Sequence, residues 1–214
     1  MSTSPRNVGL PVVGIVGGIG SGKSAIAREA SRRRPWFVVD ADQIGHQTLL
    51  LPEIITKLTK QFGIHILDAD GQLDRSAIAK EVFGSHQIQQ RQQLEAIVHP
   101  YILRLAADQL AEAAQSGQYQ LLILDAAILF EANWNHMCDS VVFVDTNWEQ
   151  RLQRVQQTRN WDASELTKRE ASQLPIDKKQ NLADAVIPNH GKLSEAVESL
   201  IAFVDQRFPN LHSS

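Results

Sequence analysis

A chain of 214 residues, 43% of them hydrophobic, is long enough to bury a full core, and we expect one domain. Its formal net charge of −3 excludes the broad positive field of a protein whose main partner is nucleic acid. The single cysteine, Cys138, excludes an intramolecular disulfide framework and fits a reducing cytoplasm. We find neither a targeting segment nor a membrane span, and therefore predict a cytoplasmic protein without nucleic-acid or membrane partners.

The first predicted elements are a strand and a helix joined by a glycine-rich loop. Pro11–Val16 predicts a buried parallel strand and Ser24–Ala30 a helix. Between them, Gly17–Ser24 fits the pattern of glycine, four residues, then Gly-Lys-Ser. In this pattern the backbone N–H groups surround phosphate oxygens, Lys23 reaches the outer phosphates, and the Ser24 hydroxyl ligates Mg²⁺. The sequence therefore predicts that the chain binds a nucleoside triphosphate with magnesium.

A second short apolar run, Trp36–Asp40, leads into the acidic cluster Asp40-Ala41-Asp42. Open parallel α/β sheets bind ligands at the carboxyl ends of their strands, where Lys23 is also expected. Asp42 is therefore a candidate neighbour of the phosphates. A helix N-cap is the alternative interpretation of this residue.

Residues from about 43 to 115 have a mostly helical pattern, and we expect them to bind the acceptor substrate. The pattern is broken by Asp68–Gly71, whose Asp-Gly pair signals a turn. Asp74 is typical of an N-cap, and the helix that follows is predicted to run through Phe83.

Three further apolar runs, Tyr119–Asp125, Ser140–Asp145 and Ala185–Ile187, precede a helix predicted over residues 193–208. The first of these runs ends in Asp125, as expected of a central parallel strand that carries a carboxylate on the magnesium side. Five strands alternating with helices predict an α/β protein with a doubly wound parallel five-stranded sheet.

Residues from about 150 to 175 combine several basic side chains with few large apolar ones. Such a segment predicts a mobile lid that closes over the triphosphate and excludes water. A solvated helical face with glutamate partners is the alternative for any single arginine. The basic residues are Arg151, Arg154, Arg159, Lys168 and Arg169.

The order and spacing of these motifs resemble the dephospho-coenzyme A kinase family along the length of the chain. Beyond the glycine-rich segment Gly17–Ser24, called the phosphate loop from here on, the resemblance rests on short segments in chain order. They are Asp40–Asp42 with Ile44 and His46, Gly71–Arg75, Leu94-Glu95, His99-Pro100, Asp125 with Leu129–Glu131, and Gln173, Lys179, Ala183-Asp184, Asn189 and Gly191. The resemblance implies a single phosphate-loop kinase domain over residues 1–214, similar to nucleoside-monophosphate kinases.

The family resemblance also implies an activity, in which ATP and Mg²⁺ phosphorylate the ribose 3′-hydroxyl of dephospho-coenzyme A. Asp42 would be the general base for that hydroxyl. Since an aspartate is a weak base at neutral pH, its main contribution would be to orient the hydroxyl. Dephospho-coenzyme A is then the small-molecule partner of a monomer or weak homo-oligomer.

The resemblance assigns the remaining site residues as follows. The catalytic residues are Asp42, Lys23 and Arg159. The nucleotide-binding residues are Gly18, Ile19, Gly20, Ser21, Gly22, Lys23, Ser24, Ala25, Arg154, Asn189 and Gly191. The substrate-binding residues are Asp42, Arg75, His99, Glu131 and Lys179, and the magnesium ligands are Ser24 and Asp125. Asn189 and Gly191 would approach the adenine, with a structural turn as the alternative.

Several of the substrate-side residues also have purely structural interpretations. His99 before Pro100 fits a hydrogen-bonded histidine at a junction where a helix starts. Arg75 can equally pair with Asp74, and Glu131 can be an exposed acid.

The chain departs from the family pattern at three places. Val16 stands where the family often has threonine, and Ala127 replaces the proline before the Leu-Leu-Phe-Glu segment. The lid segment Arg159–Trp161 lacks the usual glycine, and the lid is one residue shorter.

Two other functions share part of this pattern. Another small-molecule or nucleoside-monophosphate kinase would have the same loop, strand-end aspartate and lid, and the region from Asp42 to Arg104 discriminates them. A nucleotide-switch protein would carry an Asn-Lys-x-Asp signature after a strand, and the sequence has none.

Overall fold

The computed structural model describes residues 9–82 and 87–212. The strands are β1 (Val12–Gly17), β2 (Trp36–Asp40), β3 (Leu121–Asp125), β4 (Ser140–Asp145) and β5 (Ala185–Pro188). The helices are α1 (Lys23–Arg33), α2 (Ala41–Thr48), α3 (Pro52–Phe62), α4 (Arg75–Val82), α5 (Ile88–Gln115), α6 (Trp148–Arg159), α7 (Ala163–Glu170), α8 (Ile176–Leu182) and α9 (Leu193–Arg207). Phe83, the predicted end of α4, lies outside the described residues.

Within the described part of the chain, five strands form one parallel sheet in the order β2-β3-β1-β4-β5. This sheet confirms the predicted α/β class. The chain leaves β1 toward β2 on one side and crosses from β3 to β4 on the other, so the carboxyl ends of the neighbouring strands β1 and β3 are the expected ligand-binding edge.

The sheet is buried on both faces. Val13 and Ile15 of β1 belong to one cluster with Ile26 of α1 and Leu200 of α9. Strand residues that point to the other face, such as Val16, are equally buried. Burial on both faces explains why these strands appear in the sequence as continuous apolar runs.

The chain divides into two compact units. The sheet unit comprises residues through Asp40 and from Asp108 onward, and the helical unit comprises Ala41–Ala107. Apolar side chains at helical spacing, such as Ile54 and Leu58 of α3, are fully buried and form part of the helical unit's core.

The structure confirms the predicted turn and N-cap in the helical unit. The backbone N–H of Gly71, with φ 73°, donates to Asp68 O at 3.1 Å, and Leu67 pairs with Leu73 in an antiparallel bridge. Asp74 Oδ1 accepts the N–H of Ser76 at 2.7 Å, directly before the backbone of α4 becomes regular.

The prediction of a helix start at Pro100 is wrong. Pro100 lies inside the long helix α5. A proline there removes one backbone hydrogen bond. The helix continues because Val98, Ile102 and Ala106 on the two sides of Pro100 are buried, and their packing stabilises the flanking turns.

No helix in the described ranges is long and apolar enough to cross a membrane.

Candidate active site

The phosphate loop connects the end of β1 to the start of α1. Gly22 caps α1 with φ 89°, in the left-handed region that strongly favours glycine. A Cβ on Gly22 would lie 2.7 Å from Asn189 Nδ2. Gly22 O accepts the N–H of Ile26 at 3.0 Å and so begins the helical ladder. The glycine that the motif requires is therefore enforced both by its backbone conformation and by a close neighbour.

The carbonyl groups of the loop are held by side chains from distant parts of the sequence. Ser21 O accepts hydrogen bonds from Thr146 Oγ1 at 2.9 Å, Asn189 Nδ2 at 2.7 Å and Arg154 Nη1 at 3.0 Å. The C=O and N–H of one peptide plane point in opposite directions, so holding Ser21 O inward turns the N–H of Gly22 away from these donors. This is the orientation that an anion-binding loop requires.

Arg154 and Asn189, both predicted to bind nucleotide, thus contact the loop that would hold the phosphates. Asn189 is 3% exposed, and its backbone N–H donates to Asp145 O at 2.7 Å. Burial lowers the pKa of Arg154. Gly191 leaves room for Glu195, whose carboxylate accepts the N–H of Lys192 at the start of α9. Direct contacts of these residues with a nucleotide remain a prediction.

Lys23, the first residue of α1, forms an ion pair with Asp125 at the carboxyl end of β3. Lys23 Nζ lies 3.2 Å from Asp125 Oδ1, and the two side chains are 12% and 2% exposed. The sheet brings them together because β1 and β3 are neighbours, with Ile15 in register with Asp125. The predicted phosphate-binding lysine and magnesium-side aspartate therefore share one buried position.

The residues at this position fit a magnesium ion. Ser24 follows Lys23 in the first turn of α1, and its hydroxyl is a hard oxygen donor. The Asp125 carboxylate is another, and its burial beside a cation shows that this position already accommodates paired charges.

Asp40 and Asp42 lie where β2 passes directly into α2. Asp40 is in register with Asp125 and pairs with Arg28 at 3.1 Å. Asp42 is exposed and is the second residue of α2, which begins at Ala41. The alternative N-cap interpretation of Asp42 is therefore wrong. An acidic side chain in the first turn still interacts favourably with the positive end of the helix.

The helical unit holds the predicted residues Arg75 and His99. Arg75 is the first residue of α4 and is exposed, and among the described residues it forms no ion pair with Asp74. His99 lies within α5, and burial lowers its pKa, while the nearby carboxylate of Glu95 acts in the opposite direction. Neutral imidazole is therefore its main form at pH 7.

Comparisons with known proteins agree with this geometry. A family model described as dephospho-CoA kinase matches residues 11–195. The chain belongs to the dephospho-CoA kinase family. A relative named dephospho-CoA kinase from Carboxydothermus hydrogenoformans is 32% identical, over 92% of this chain and 94% of its own length. Another from Syntrophotalea carbinolica is 35% identical, over 94% and 93%. The crystal structure of TT1252 from Thermus thermophilus has a TM-score of 0.78 at 29% identity, covering 93% of this chain and 98% of that one.

In the segment Arg159–Trp161, which is predicted to lie in a lid, an asparagine takes the place of the family's usual glycine. Asn160 ends α6 with φ 55° and ψ 36°, and its N–H donates to Gln156 O at 3.2 Å. Asparagine adopts this left-handed conformation more readily than most residues. Arg159 is exposed, with its guanidinium carbon 4.8 Å from the centre of the Trp161 ring. Its contact with a nucleotide remains a prediction.

Glu131 and Lys179, both predicted to bind substrate, meet in a hydrogen-bonded cluster in which Lys179 is buried and Glu131 is accessible to solvent. Lys179 Nζ donates to Ala127 O at 2.7 Å and to Gln173 Oε1 at 3.0 Å, and lies 2.7 Å from Glu131 Oε1. The Lys179 side chain is 2% exposed. Glu131 also accepts the N–H of Leu174 at 2.9 Å. Three partners match the three N–H groups of a lysine, so these contacts account for all its donors.

Sequence reasoning missed three residues that contact the phosphate loop. Thr146 follows β4 directly, and a hydroxyl at a strand's carboxyl end was the available signal. Arg151 was one of several lid arginines, with nothing to distinguish it. Glu170 carried no signal, since its contacts come from chain segments about 20 and 150 residues away.

Proposed function

We propose that this chain transfers the γ-phosphoryl group of ATP to the ribose 3′-hydroxyl of dephospho-coenzyme A, forming coenzyme A and ADP. The observation that carries the proposal is the buried Lys23–Asp125 pair at the end of β1 in a member of the dephospho-CoA kinase family. Phosphoryl transfer needs positioned positive charge and magnesium-side oxygen ligands at one place, and this pair supplies both.

In the proposed mechanism, Lys23 neutralises charge on the outer phosphates while N–H groups of residues 18–25 hold the phosphate chain, apart from those of Ile19 and Ser21, which donate to Glu170 and to Gly18 O. Ser24 and Asp125 would hold Mg²⁺, which supplies further neutralisation of phosphate charge when bound. Arg154, Asn189 and Gly191 lie on the nucleotide side. The fixed loop carbonyls support this role, because they keep the geometry of the loop constant during transfer.

Asp42 is proposed to accept the proton of the acceptor 3′-hydroxyl and to orient its oxygen. The new bond joins that oxygen to the γ-phosphorus, the bond from the γ-phosphorus to the β,γ-bridging oxygen breaks, and ADP leaves with the bonding electron pair. No covalent enzyme intermediate is needed. The exposed carboxylate at the start of α2 supports this role, since it is accessible to an acceptor.

The remaining roles are proposed by segment. Residues 43–115 bind the acceptor, with Arg75 as a charge partner and His99 as a neutral hydrogen-bonding group. Residues 150–175 form the lid, in which Arg159 reaches the transferred group. Glu131 and Lys179 contribute on the substrate side, and the buried contacts of Lys179 favour an action through the loop that follows β3.

The test is ADP formation from ATP with magnesium, with dephospho-coenzyme A, adenosine, AMP or no acceptor. We expect rapid turnover only with dephospho-coenzyme A, and a product heavier by one phosphate whose 3′ position is established by NMR. Transfer to adenosine or AMP instead would assign another small-molecule kinase, and ADP formation without acceptor would assign an ATPase. The proposal includes a cytoplasmic monomer or weak homo-oligomer, which cell fractionation and light scattering test.

A further inference from the structure

In the phosphate loop, the N–H and the C=O of Ile19 are both hydrogen-bonded by one pair of charged side chains, Arg151 and Glu170. The N–H of Ile19 donates to Glu170 Oε1 at 3.2 Å, and Ile19 O accepts from Arg151 Nη1 at 3.3 Å. The same Arg151 Nη1 is paired with the same Glu170 Oε1. The orientation of Ile19 in the loop is therefore tied to two side chains from α6 and α7.

This ion pair is largely shielded from solvent, and Arg151 has further contacts. The side chains of Arg151 and Glu170 are 7% and 16% exposed. Arg151 Nε also donates to Thr146 O at 3.1 Å, and its guanidinium carbon lies 5.3 Å from the centre of a Trp148 ring. A buried charge is costly without its partner, so each member strongly favours the position in which the other is found.

The pair also lies directly against the loop backbone. A Cβ on Gly18 would be 2.7 Å from Arg151 Nη1. Only a residue without a side chain allows the guanidinium to approach this closely. Arg151 therefore contacts both Gly18 and Ile19, in the part of the loop that precedes the helix start.

We propose that Arg151 and Glu170 are positioning residues that set the conformation of the phosphate loop at Gly18-Ile19 and thereby the binding of ATP phosphates. The inference rests on the proposed kinase function. Because Glu170 is the last residue of α7, the pair also joins the lid segment to the loop. A shift of α7 then moves an acceptor away from the Ile19 N–H, so lid position and loop geometry change together.

The experiment compares Glu170→Gln with the double variant Arg151→Met/Glu170→Leu. In Glu170→Gln a buried guanidinium loses its counter-charge, and we expect lower stability and a KM for ATP raised about tenfold. In the double variant both charges are removed, so stability returns toward wild type while the KM for ATP stays raised. The KM for dephospho-coenzyme A should remain within about twofold of wild type in each case.

Calorimetric titration of each variant with ADP alone measures the affinity of the phosphate loop for a nucleotide independently of turnover. We expect the same loss of affinity as in the KM for ATP. If wild type binds ADP but does not turn over dephospho-coenzyme A, the proposed function fails while this inference is still tested. The control is Glu198→Gln, which removes an exposed ion pair with Arg33 and should change neither affinity nor KM. Recovery of nucleotide affinity together with stability in the double variant would overturn the positioning role.

Discussion

The two units of the chain hold their candidate functional residues in different ways. In the sheet unit, the buried groups Ser21 O and Lys179 Nζ each have three polar partners, although Arg159 is exposed. In the helical unit, Asp42 and Arg75 are exposed in the first turns of α2 and α4. The proposed phosphate site is therefore built in advance, whereas Asp42 and Arg75, both proposed for the acceptor, are accessible side chains.

This difference indicates where binding energy is used. A preorganised loop loses little conformational freedom when phosphates bind, so its contacts are available to stabilise the transition state. Exposed side chains must be ordered by the acceptor itself, and that cost lowers acceptor affinity. Substitutions in the sheet unit should accordingly reduce stability or transfer. Those in the helical unit should act on the acceptor step.

The largest expected effect is the loss of stability in Lys179→Met. The variant leaves Ala127 O and Gln173 Oε1 without their donor and Glu131 without its counter-charge, and we expect a loss of about 3–5 kcal/mol in the free energy of unfolding. Denaturant unfolding measures this loss. An unchanged stability with a raised KM for dephospho-coenzyme A would instead assign Lys179 to direct substrate contact. Substitutions in the sheet unit would then not differ from those in the helical unit in the way described.

Lys23→Met should reduce kcat by about 10²–10³-fold, because it removes a positioned positive charge from the transferred phosphoryl group. Steady-state ADP formation at saturating acceptor measures this effect. The matched control is Lys60→Met, an exposed lysine of α3, for which we expect wild-type kcat. A kcat within a few-fold of wild type in Lys23→Met would remove Lys23 from the transfer step.

Asp42→Asn should reduce kcat by about 10²-fold with little change in the KM for ATP, since it removes the proposed proton acceptor but keeps the shape of the side chain. Asp70→Asn, in the exposed turn before α4, is the control. Equal losses in kcat and ATP affinity would mean that Asp42 acts on ATP, as proposed for the residues of the sheet unit that contact the phosphate loop.

The smallest expected effect concerns His99 and pH. Burial lowers its pKa below the ordinary 6.5, so the unfolded chain binds more protons at this residue than the folded chain. The free energy of unfolding should therefore fall as pH decreases from 7 through 6.5, and level off below the folded pKa. Denaturant unfolding of wild type and His99→Gln at several pH values isolates this contribution, since the other histidines cancel in the difference. A difference that is independent of pH would contradict the burial of His99.

The sequence was sufficient for the features that local patterns encode. Apolar runs predicted the strands, with β2 and β4 correct at both ends, and patterns placed both Lys23 and Asp125 at the carboxyl edge of the sheet, where the structure pairs them. It was insufficient where tertiary packing outweighs local preference. Pro100 lies in a helix because its neighbours are buried.

Contacts between segments far apart in the sequence were also invisible to pattern reasoning. Thr146, Arg154 and Asn189 all bind one carbonyl of the loop, and no spacing rule relates them to Ser21. The pairing of Arg151 with Glu170 likewise depends on how α6 and α7 pack.

The three hydrogen bonds that Ser21 O accepts link the phosphate loop to the folding of distant segments. One of its donors, Asn189, immediately follows the last strand, so the loop gains its full set of donors only after nearly the whole chain has folded. A nucleotide that binds the loop with all its donors in place therefore also stabilises the pairing of β5 with β4. Local opening of this sheet edge should thus become rarer when nucleotide binds. Slower amide hydrogen exchange in β5 would then report nucleotide binding at the loop, although Ser21 and Asn189 are 168 residues apart in the sequence.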